Sequence, residues 1–326
     1  MGNHKATGEF LPLLNVAYNR FKSGSHIDAV SPPSGSVGSE VTIDGSSFGS
    51  SRGSSYVSFE STQAVQYNEW SDTRIRCLIP AGALSGMLKV TTADGTSNGV
   101  NFVVSLSNVE SRFYFAEGYT GDNFEEWLCL LNREDHSAIA QITYLFSDGS
   151  PPFTKDYPLA ADSRVTVNVN QAVGAGKEVS VKLESDGHVL AERPMYFNYR
   201  YGSFSVQGGH CVIGAYDTSD QWLLAEGYTG EGFNQWLCLQ NPGDSEAQVE
   251  VTYFTQEAGT LPARSLTIPA RTRATIMANL DAGSNYQLST RIRVTSGPGI
   301  VVERPMYFRY GRGWDGGHDV VGFRTI

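Results

Sequence analysis

The chain has 326 residues, which at about 100–150 residues per domain predicts two or three domains. It carries 24 Lys and Arg against 34 Asp and Glu, a formal net charge of −10. No basic run is present to neutralise nucleic-acid phosphates or to bind an anionic membrane surface, so neither is an expected partner. No apolar stretch approaches the roughly 20 residues that cross a bilayer, and we expect no membrane span in this chain.

Composition and pattern predict an all-β protein. Glycine accounts for 35 residues, and many short alternating segments are separated by Gly, Asp, Asn, Ser and Pro, which is typical of strands and turns. We predict three β-sandwich domains in tandem, one at 27–104 and two at 112–215 and 222–326.

Residues 1–26 form an N-terminal segment without an assigned fold. Its apolar run at 10–14 is interrupted by Pro12 and is too short for the core of a signal peptide. We interpret the segment as the tail of an upstream region or as a strand that packs on a later domain. An export signal is therefore not expected in this chain.

The first domain resembles the IPT/TIG family of immunoglobulin-like domains. The residues that carry the resemblance are Pro33, Gly35, Gly38, Val41-Thr42-Ile43, Gly45, Phe48-Gly49, Trp70-Ser71-Asp72-Thr73, Ile75, Ile79-Pro80, Gly95, Ser97-Asn98 and Phe102. The resemblance implies an immunoglobulin-like sandwich of a kind that occurs in cell-surface receptors, Rel-type transcription factors and bacterial extracellular proteins. A DNA-binding member would need basic loops, and Arg52 alone does not supply them.

The rest of the chain contains a duplication. The hexapeptide AEGYTG at 116–121 returns at 225–230, and ERPMYF at 192–197 returns at 303–308. The blocks WLCL and GGH also recur in the same order, which indicates two copies of one domain. Both copies resemble a bacterial family of domains of unknown function, and this resemblance implies an extracellular, non-catalytic protein.

Charged residues that recur in the two copies are candidate structural ion pairs. They are Glu117, Arg164 and Arg193 in the first copy and Glu226, Arg273 and Arg304 in the second. We expect each glutamate to pair with an arginine of its own copy, because a buried charge must be paired. The alternative is an anion or sugar site that also uses His210 and His318.

Four recurring aromatic residues are candidate ligand-binding positions, namely Tyr119, Trp127, Tyr228 and Trp236. Their rings could stack on sugars, or they could simply fill the two cores. Lining of a single shallow groove by these side chains would favour the sugar interpretation.

Catalytic and cofactor motifs are not expected to be functional. The Gly-x-Ser-x-Gly match at 45–49 lies inside the IPT/TIG pattern, and the Gly-x-Gly-x-x-Gly match at 311–316 has no following helix, so both predict turns. A glycosidase built on Glu117 and Glu192 would need both acids in one cleft. The four cysteines are interpreted as buried free thiols, since their spacing does not suit a zinc site.

We therefore predict a protein that is not an enzyme and uses no cofactor or metal. Its expected role is that of an extracellular or cell-surface structural or adhesion protein, acting as a spacer or recognition module of bacterial origin. The alternative is a carbohydrate-binding accessory module of a cell-wall or polysaccharide-active protein. Expected partners are cell-wall or extracellular polysaccharide, or surface proteins.

Overall fold

A computed structural model describes residues 24–311 and 313–324, so the interpretation of the N-terminal segment lies almost wholly outside the described residues. The chain divides into two compact units, Met1–Ser105 (unit 1) and Leu106–Ile326 (unit 2). Each is built from β-strands with very little helix, and the all-β prediction is confirmed. Among the described residues, no helix is long and apolar enough to cross a membrane.

Unit 1 is a sandwich of two sheets. Its strands are β1 (His26–Ser31), β2 (Ser34–Gly35), β3 (Glu40–Ser46), β4 (Tyr56–Phe59), β5 (Thr62–Gln63), β6 (Tyr67–Trp70), β7 (Arg74–Leu78), β8 (Gly86–Thr92), β9 (Gly95–Thr96) and β10 (Val100–Val104). One sheet has the order β1-β3-β7-β6 and the other β2-β10-β8-β4-β5, with β9 paired to β8. Alternation in β3 points Val41 and Ile43 into the core, where both are fully buried.

The Gly-x-Ser-x-Gly segment of unit 1 is a turn. Strand β3 ends at Ser46, and the next element is β4 rather than a helix. A Cβ atom at Gly45 would overlap the carbonyl oxygen of His26, so the glycine is required by the close approach of β1. The segment therefore lacks the strand-to-helix turn that exposes a catalytic serine.

The first repeat, in unit 2, is a second sandwich. Its elements are β11 (Ser111–Phe115), β12 (Phe124–Asn132), β13 (Ala138–Phe146), β14 (Phe153–Leu159), β15 (Ser163–Asn168), α1 (Val169–Val173), β16 (Val179–Ser185), β17 (Val189–Tyr201) and β18 (Phe204–Ile213). The sheets have the orders β11-β16-β13-β14 and β15-β12-β17-β18.

The second repeat follows the same plan. Its elements are β19 (Gln221–Leu224), β20 (Phe233–Asn241), β21 (Ala247–Thr255), β22 (Gly259–Thr260), β23 (Arg264–Ile268), β24 (Thr272–Met277), α2 (Ala278–Asp281), β25 (Leu288–Ser296), β26 (Val301–Glu303), β27 (Met306–Tyr310), β28 (Trp314–His318) and β29 (Phe323–Arg324). Strand orders β19-β25-β21-β23 and β24-β20-β27-β28 reproduce those of the first repeat, and β26 with β27 replaces the continuous β17.

The duplication extends to side-chain contacts. Asn170 in α1 donates its amide to the carbonyl oxygen of Phe124, and Asn279 in α2 donates to that of Phe233, both at 2.8 Å. The two repeats also share a core, because Tyr114, Ala116 and Ala215 pack into the hydrophobic cluster of the second repeat. Unit 2 is thus one compact body, and the domain boundaries at 112–215 and 222–326 stay a prediction.

The four cysteines are free thiols, but they are not all buried. Cys77 and Cys238 are buried, Cys129 is half-buried, and Cys211 is exposed on β18. Cys211 is exposed because its side chain points away from the core of its sandwich. The expectation of four buried thiols was wrong for Cys211 and holds only in part for the half-buried Cys129.

These exposures predict the order in which a maleimide labels the native protein. Cys211 should react first and Cys129 more slowly, because the thiol must be accessible. Burial raises the pKa of Cys77 to about 12 and raises the pKa of Cys238 as well, so both should react only after unfolding. Mass spectrometry of labelled peptides checks this order, and labelling of Cys238 in the native protein would contradict its burial.

Candidate functional site at the junction of the two repeats

Arg193 of strand β17 is the centre of the junction between the two repeats. Its guanidinium is fully buried, and it points inward because its neighbour Glu192 takes the outward position on the strand. Two acidic side chains of the second repeat, Glu303 and Asp319, reach it across the junction. The junction is therefore held by charges from both copies.

Both terminal nitrogens of the Arg193 guanidinium donate hydrogen bonds, and the distances are short. Nη1 donates to the carbonyl oxygen of Glu117 at 2.6 Å and to Glu303 Oε2 at 2.7 Å. Nη2 donates to Glu117 Oε2 at 2.8 Å and to Asp319 Oδ2 at 2.7 Å. Tyr307 donates its hydroxyl to Glu117 Oε1 at 3.0 Å. Planar guanidinium geometry suits this multiple recognition of carboxylates.

The junction holds more negative than positive charge. Burial by itself would lower the pKa of Arg193, but the carboxylates of Glu303, Glu117 and Asp319 raise it well above its usual value. Burial and the nearby Glu303 and Glu117 raise the pKa of Asp319 well above the ordinary range. A proton on Asp319 reduces the repulsion among these carboxylates.

Glu126 is the fourth buried acid near the junction. Burial raises its pKa to about 8, and neither carboxyl oxygen has a hydrogen-bond partner among the described residues. In the second repeat the same place is taken by Gln235, whose Oε1 accepts from the backbone N–H of Tyr228 at 2.9 Å. The two repeats thus differ by one ionisable group at an otherwise matched position.

Three of these carboxylates could in principle hold a cation. Ligand oxygens of Glu117, Glu303 and Asp319 lie within 4.8 Å of one another. The guanidinium of Arg193, however, already donates to all three side chains. The cluster is accordingly built around an internal cation, and its chemistry is that of a structural ion network.

The structure pairs four of the six candidate ion-pair residues and places the other two elsewhere. Glu117 pairs with Arg193, and Glu226 pairs with Arg304. Arg164 instead donates to Thr166 Oγ1 and Cys129 Sγ on the exposed side of its sheet.

Arg273 also differs from the ion-pair expectation. It donates across the junction to the carbonyl oxygens of Gly118 and Val179, both at 2.7 Å. Arg164 and Arg273 lie on the outward face of their strands, whereas Glu117 and Glu226 pair with the buried arginines of the ERPMYF blocks. For these two residues the structure shows hydrogen bonds to neutral groups in place of ion pairs.

A cleft of about 260 Å³ opens beside the buried network. Its walls carry the rings of Tyr119, Phe124, Tyr199, Tyr201, Trp236 and Tyr307, together with the polar groups of Glu178, Arg200 and Thr275. Tyr119 and Tyr201 are the exposed rings at its mouth. The ring of Tyr201 meets that of Trp236 edge to face with centroids 6.1 Å apart.

The four candidate ligand-binding aromatics do not line one groove. Tyr119 and Trp236 meet in the junction cleft. Tyr228 lines a separate cavity on the second repeat, and Trp127 lies half-buried on the outward face of β12. Only the pair in the junction cleft comes together, and it comes from different repeats.

Sequence reasoning missed several residues of the junction. Glu303 and Tyr307 belong to the recurring ERPMYF block, so their recurrence was a usable signal. Asp319 stood out as a difference between the copies, since Cys211 takes its place in the first repeat. Tyr199, Tyr201 and Arg200 carried no signal, because the cleft exists only where the two repeats meet.

Two family models match parts of the chain. Residues 25–111 match the IPT/TIG domain, and residues 205–302 match a family of unknown function, DUF5719. Both are domain types without an assigned catalytic activity. The second match accounts for one copy, and it runs from the last strand of the first repeat through most of the second.

Curated relatives match over part of the chain. A cyclomaltodextrin glucanotransferase of Niallia circulans is 38% identical over 91 residues, 27% of this chain and 13% of the relative. The enzyme of the same name from Bacillus sp. strain 6.6.3 is 29% identical over 174 residues, 51% of this chain and 22% of the relative. The chain therefore spans less than a quarter of the length of these relatives.

Solved structures show only a weak likeness. The crystal structure of Thermotoga maritima 1070 is 20% identical with a TM-score of 0.29, and the match covers 34% of this chain and 97% of that chain. The Anabaena sensory rhodopsin transducer is 25% identical with a TM-score of 0.23, covering 27% of this chain and 96% of its own. At these scores the likeness supports no conclusion about this chain.

Proposed function

We propose that this chain is a non-catalytic recognition module of an extracellular or cell-surface protein and that the junction cleft binds carbohydrate. The proposal rests on the side chains that line the wall of the cleft. Tyr119, Tyr201 and Trp236 offer flat apolar rings, and Glu178 and Arg200 offer charged hydrogen-bonding groups beside them. Sugars present the same combination, with apolar ring faces and a rim of hydroxyl groups.

The names of the curated relatives support a carbohydrate ligand. Both are glucanotransferases, and the chain matches only a minor part of each. A module that accompanies such an enzyme would be expected to contact a glucan without acting on it. We therefore propose a glucan, or a polysaccharide of similar ring chemistry, as the ligand class.

The arrangement of the acids supports a non-catalytic role. Glu117 is buried and bound to Arg193, whereas Glu192 is exposed on the opposite face of the same strand as Arg193. Glu117 and Glu192 thus face different sides of one sheet. A glycosidase needs its two carboxyl groups on either side of one bond, about 5–10 Å apart.

The topology supports a second copy of the DUF5719 family in the first repeat. Strand order, the recurring asparagine contacts and four sequence blocks agree between the repeats. We propose that residues 112–215 belong to the same family as the matched copy.

A spacer role is a second candidate, and the buried junction favours it. The Arg193 network and the shared core hold the two repeats as one body, which keeps whatever lies at each end at a constant separation. This role does not depend on the cleft, so it remains if the cleft binds no sugar.

Binding to carbohydrate can be tested directly. The purified chain should sediment with an insoluble glucan or with peptidoglycan, and calorimetry with short glucan oligosaccharides should give a saturable signal. Replacing Tyr119 and Tyr201 together by alanine should weaken binding about tenfold or more, equivalent to about 1.4 kcal/mol. The control is Tyr216→Ala, which removes an exposed ring outside the junction cleft. Unchanged binding in the double variant, or no binding to any polysaccharide, would overturn the proposal.

A further inference from the structure

The junction joins two unlike surfaces. We call the first the acceptor surface, formed on the first repeat by the turn at 116–121 and the adjoining parts of β16, β17 and β18. The donor surface is the outward face of the β24-β20-β27-β28 sheet of the second repeat. Tyr307 of the donor stacks on Tyr199 of the acceptor, with ring centroids 4.1 Å apart and planes at 4°.

The first repeat carries its own copy of the donor surface, and that copy is open. Tyr196 occupies the place of Tyr307 and is 56% exposed, whereas Tyr307 is 5% exposed. The other positions of this open donor surface are likewise exposed where their counterparts in the second repeat are buried. Arg164, Glu192 and Cys211 are exposed, whereas their buried counterparts are Arg273, Glu303 and Asp319.

The second repeat carries its own copy of the acceptor surface, which is open as well. Tyr310 occupies the place of Tyr199 and is 56% exposed, compared with 6% for Tyr199. A cavity at this open acceptor surface is lined by Glu226, Tyr228, Phe233, Phe254 and Tyr310. The recurring turn that is closed at the first repeat therefore lies open at the second.

We propose that the open acceptor surface binds the open donor surface of a second copy of this chain. This contact repeats the junction already present within unit 2, with the equivalent residue at each position. Tyr196 of the second copy stacks on Tyr310, and Glu192 of the second copy reaches Arg304 as Glu303 reaches Arg193. Arg164 of the second copy takes the place of Arg273 and donates to the carbonyl oxygens of Gly227 and Leu288.

The charges favour this contact. Among the described residues Arg304 is bound by one carboxylate, whereas Arg193 in the closed junction is bound by three. The ion-pair partner of Arg304 is Glu226, whose side chain is 60% exposed. Adding Glu192 brings two carboxylates to one guanidinium, against three in the junction within the chain. The new contact therefore supplies Arg304 with a second counter-charge, one fewer than Arg193 receives.

Two differences make the contact between copies weaker than the junction within the chain. Cys211 supplies no carboxylate in place of Asp319, and Leu131 supplies no amide in place of Gln240, which donates to the carbonyl oxygen of Val181 at 3.0 Å. The junction within the chain is also favoured by the tether between its repeats. Association should consequently be reversible and dependent on concentration.

A contact between unlike surfaces has a definite consequence for assembly. Each copy uses its second repeat to bind the first repeat of the next, so the copies join head to tail. Such a contact produces a ring where the rotation closes and an open chain where it does not.

Two single substitutions test the proposal, because each blocks one surface and leaves the other intact. Tyr196→Asp blocks the donor and Tyr310→Asp blocks the acceptor. Both side chains are more than half exposed, so the fold should be kept, and neither lines the junction cleft. Sedimentation velocity of the full chain over a range of concentrations, at physiological salt, measures the mass of each protein.

The wild-type chain should shift with concentration from 35.5 kDa to multiples of that mass. Each variant alone should remain a monomer. An equimolar mixture should recover a single 1:1 complex, because the Tyr196→Asp chain offers an intact acceptor and the Tyr310→Asp chain an intact donor. A wild-type monomer at every concentration, unchanged association in either variant, or no recovery in the mixture would each overturn the proposal. Sugar binding by the junction cleft would be unaffected in these variants.

Discussion

Replacing Arg193 by alanine is expected to destabilise unit 2 by about 3–5 kcal/mol, because it leaves buried carboxylates without their cation. Arg193 is fully buried and is bound by Glu117, Glu303 and Asp319. For a body of this size the loss corresponds to a fall in Tm on the order of 10 °C. Chemical denaturation followed by tryptophan fluorescence measures the change in the free energy of unfolding.

Arg304→Ala is the matched control, since it removes the equivalent arginine of the second repeat. Its partner Glu226 has a side chain that is 60% exposed and can stay hydrated, so the cost should be only about 1 kcal/mol. Equal losses for the two variants would show that the position of Arg193 at the junction is irrelevant. An unchanged Tm for Arg193→Ala with loss of ligand binding would make the cluster a binding site instead of a structural network.

Replacing Glu126 by glutamine is expected to stabilise the protein at neutral and alkaline pH. Burial raises the pKa of Glu126 to about 8 from an ordinary value of 4.5. Between these two values the unfolded chain is ionised there while the folded chain keeps its proton. The folded state binds more protons, so its stability falls as the pH rises, by up to about 1.4 kcal/mol per pH unit.

Glutamine at position 126 removes this change of stability with pH, because its side chain does not titrate. The difference in the free energy of unfolding between Glu126→Gln and the wild type should be small near pH 4.5. It should grow to the order of a few kcal/mol at pH 8 and then level off. Urea denaturation at three or four pH values measures this difference, and taking the difference cancels the contributions of the other buried acids.

The second repeat offers the reciprocal experiment. Gln235 stands where Glu126 stands in the first repeat and is fully buried. Gln235→Glu should introduce a similar loss of stability with rising pH. Parallel curves of unfolding free energy against pH for Glu126→Gln and the wild type would contradict the prediction. They would show that Glu126 is ionised in the folded protein and that its burial does not make the stability depend on pH.

Parts of the fold follow from local chemistry and could be predicted from the sequence. Alternation in β3 requires that Val41 and Ile43 share one face of the strand. Recurrence of 116–121 at 225–230 predicted a duplicated fold, and the strand orders of the two repeats agree. The pairing of Glu117 with Arg193 was also accessible, because both residues recur and a buried charge needs a partner.

The junction could not be predicted in the same way. Two copies with the same motifs give no sign of which surface of one meets which surface of the other. Glu303 and Asp319 therefore gain their role only from the docking of the second repeat on the first. The same docking buries Tyr199 and leaves its counterpart Tyr310 exposed.

The sequence by itself thus determined the β-architecture, the duplication and the identity of the recurring charges, because these depend on local alternation and on repetition along the chain. Only the tertiary structure decided that Arg193 binds acids of both repeats, that Tyr119 and Trp236 share a cleft, and that one donor and one acceptor surface remain open. The physical reason is that a duplicated domain offers two equivalent sets of surfaces, and a single junction uses one surface from each. The resulting asymmetry is a property of packing, and the few sequence differences between the copies, such as Asp319 against Cys211, do not by themselves show which surfaces meet.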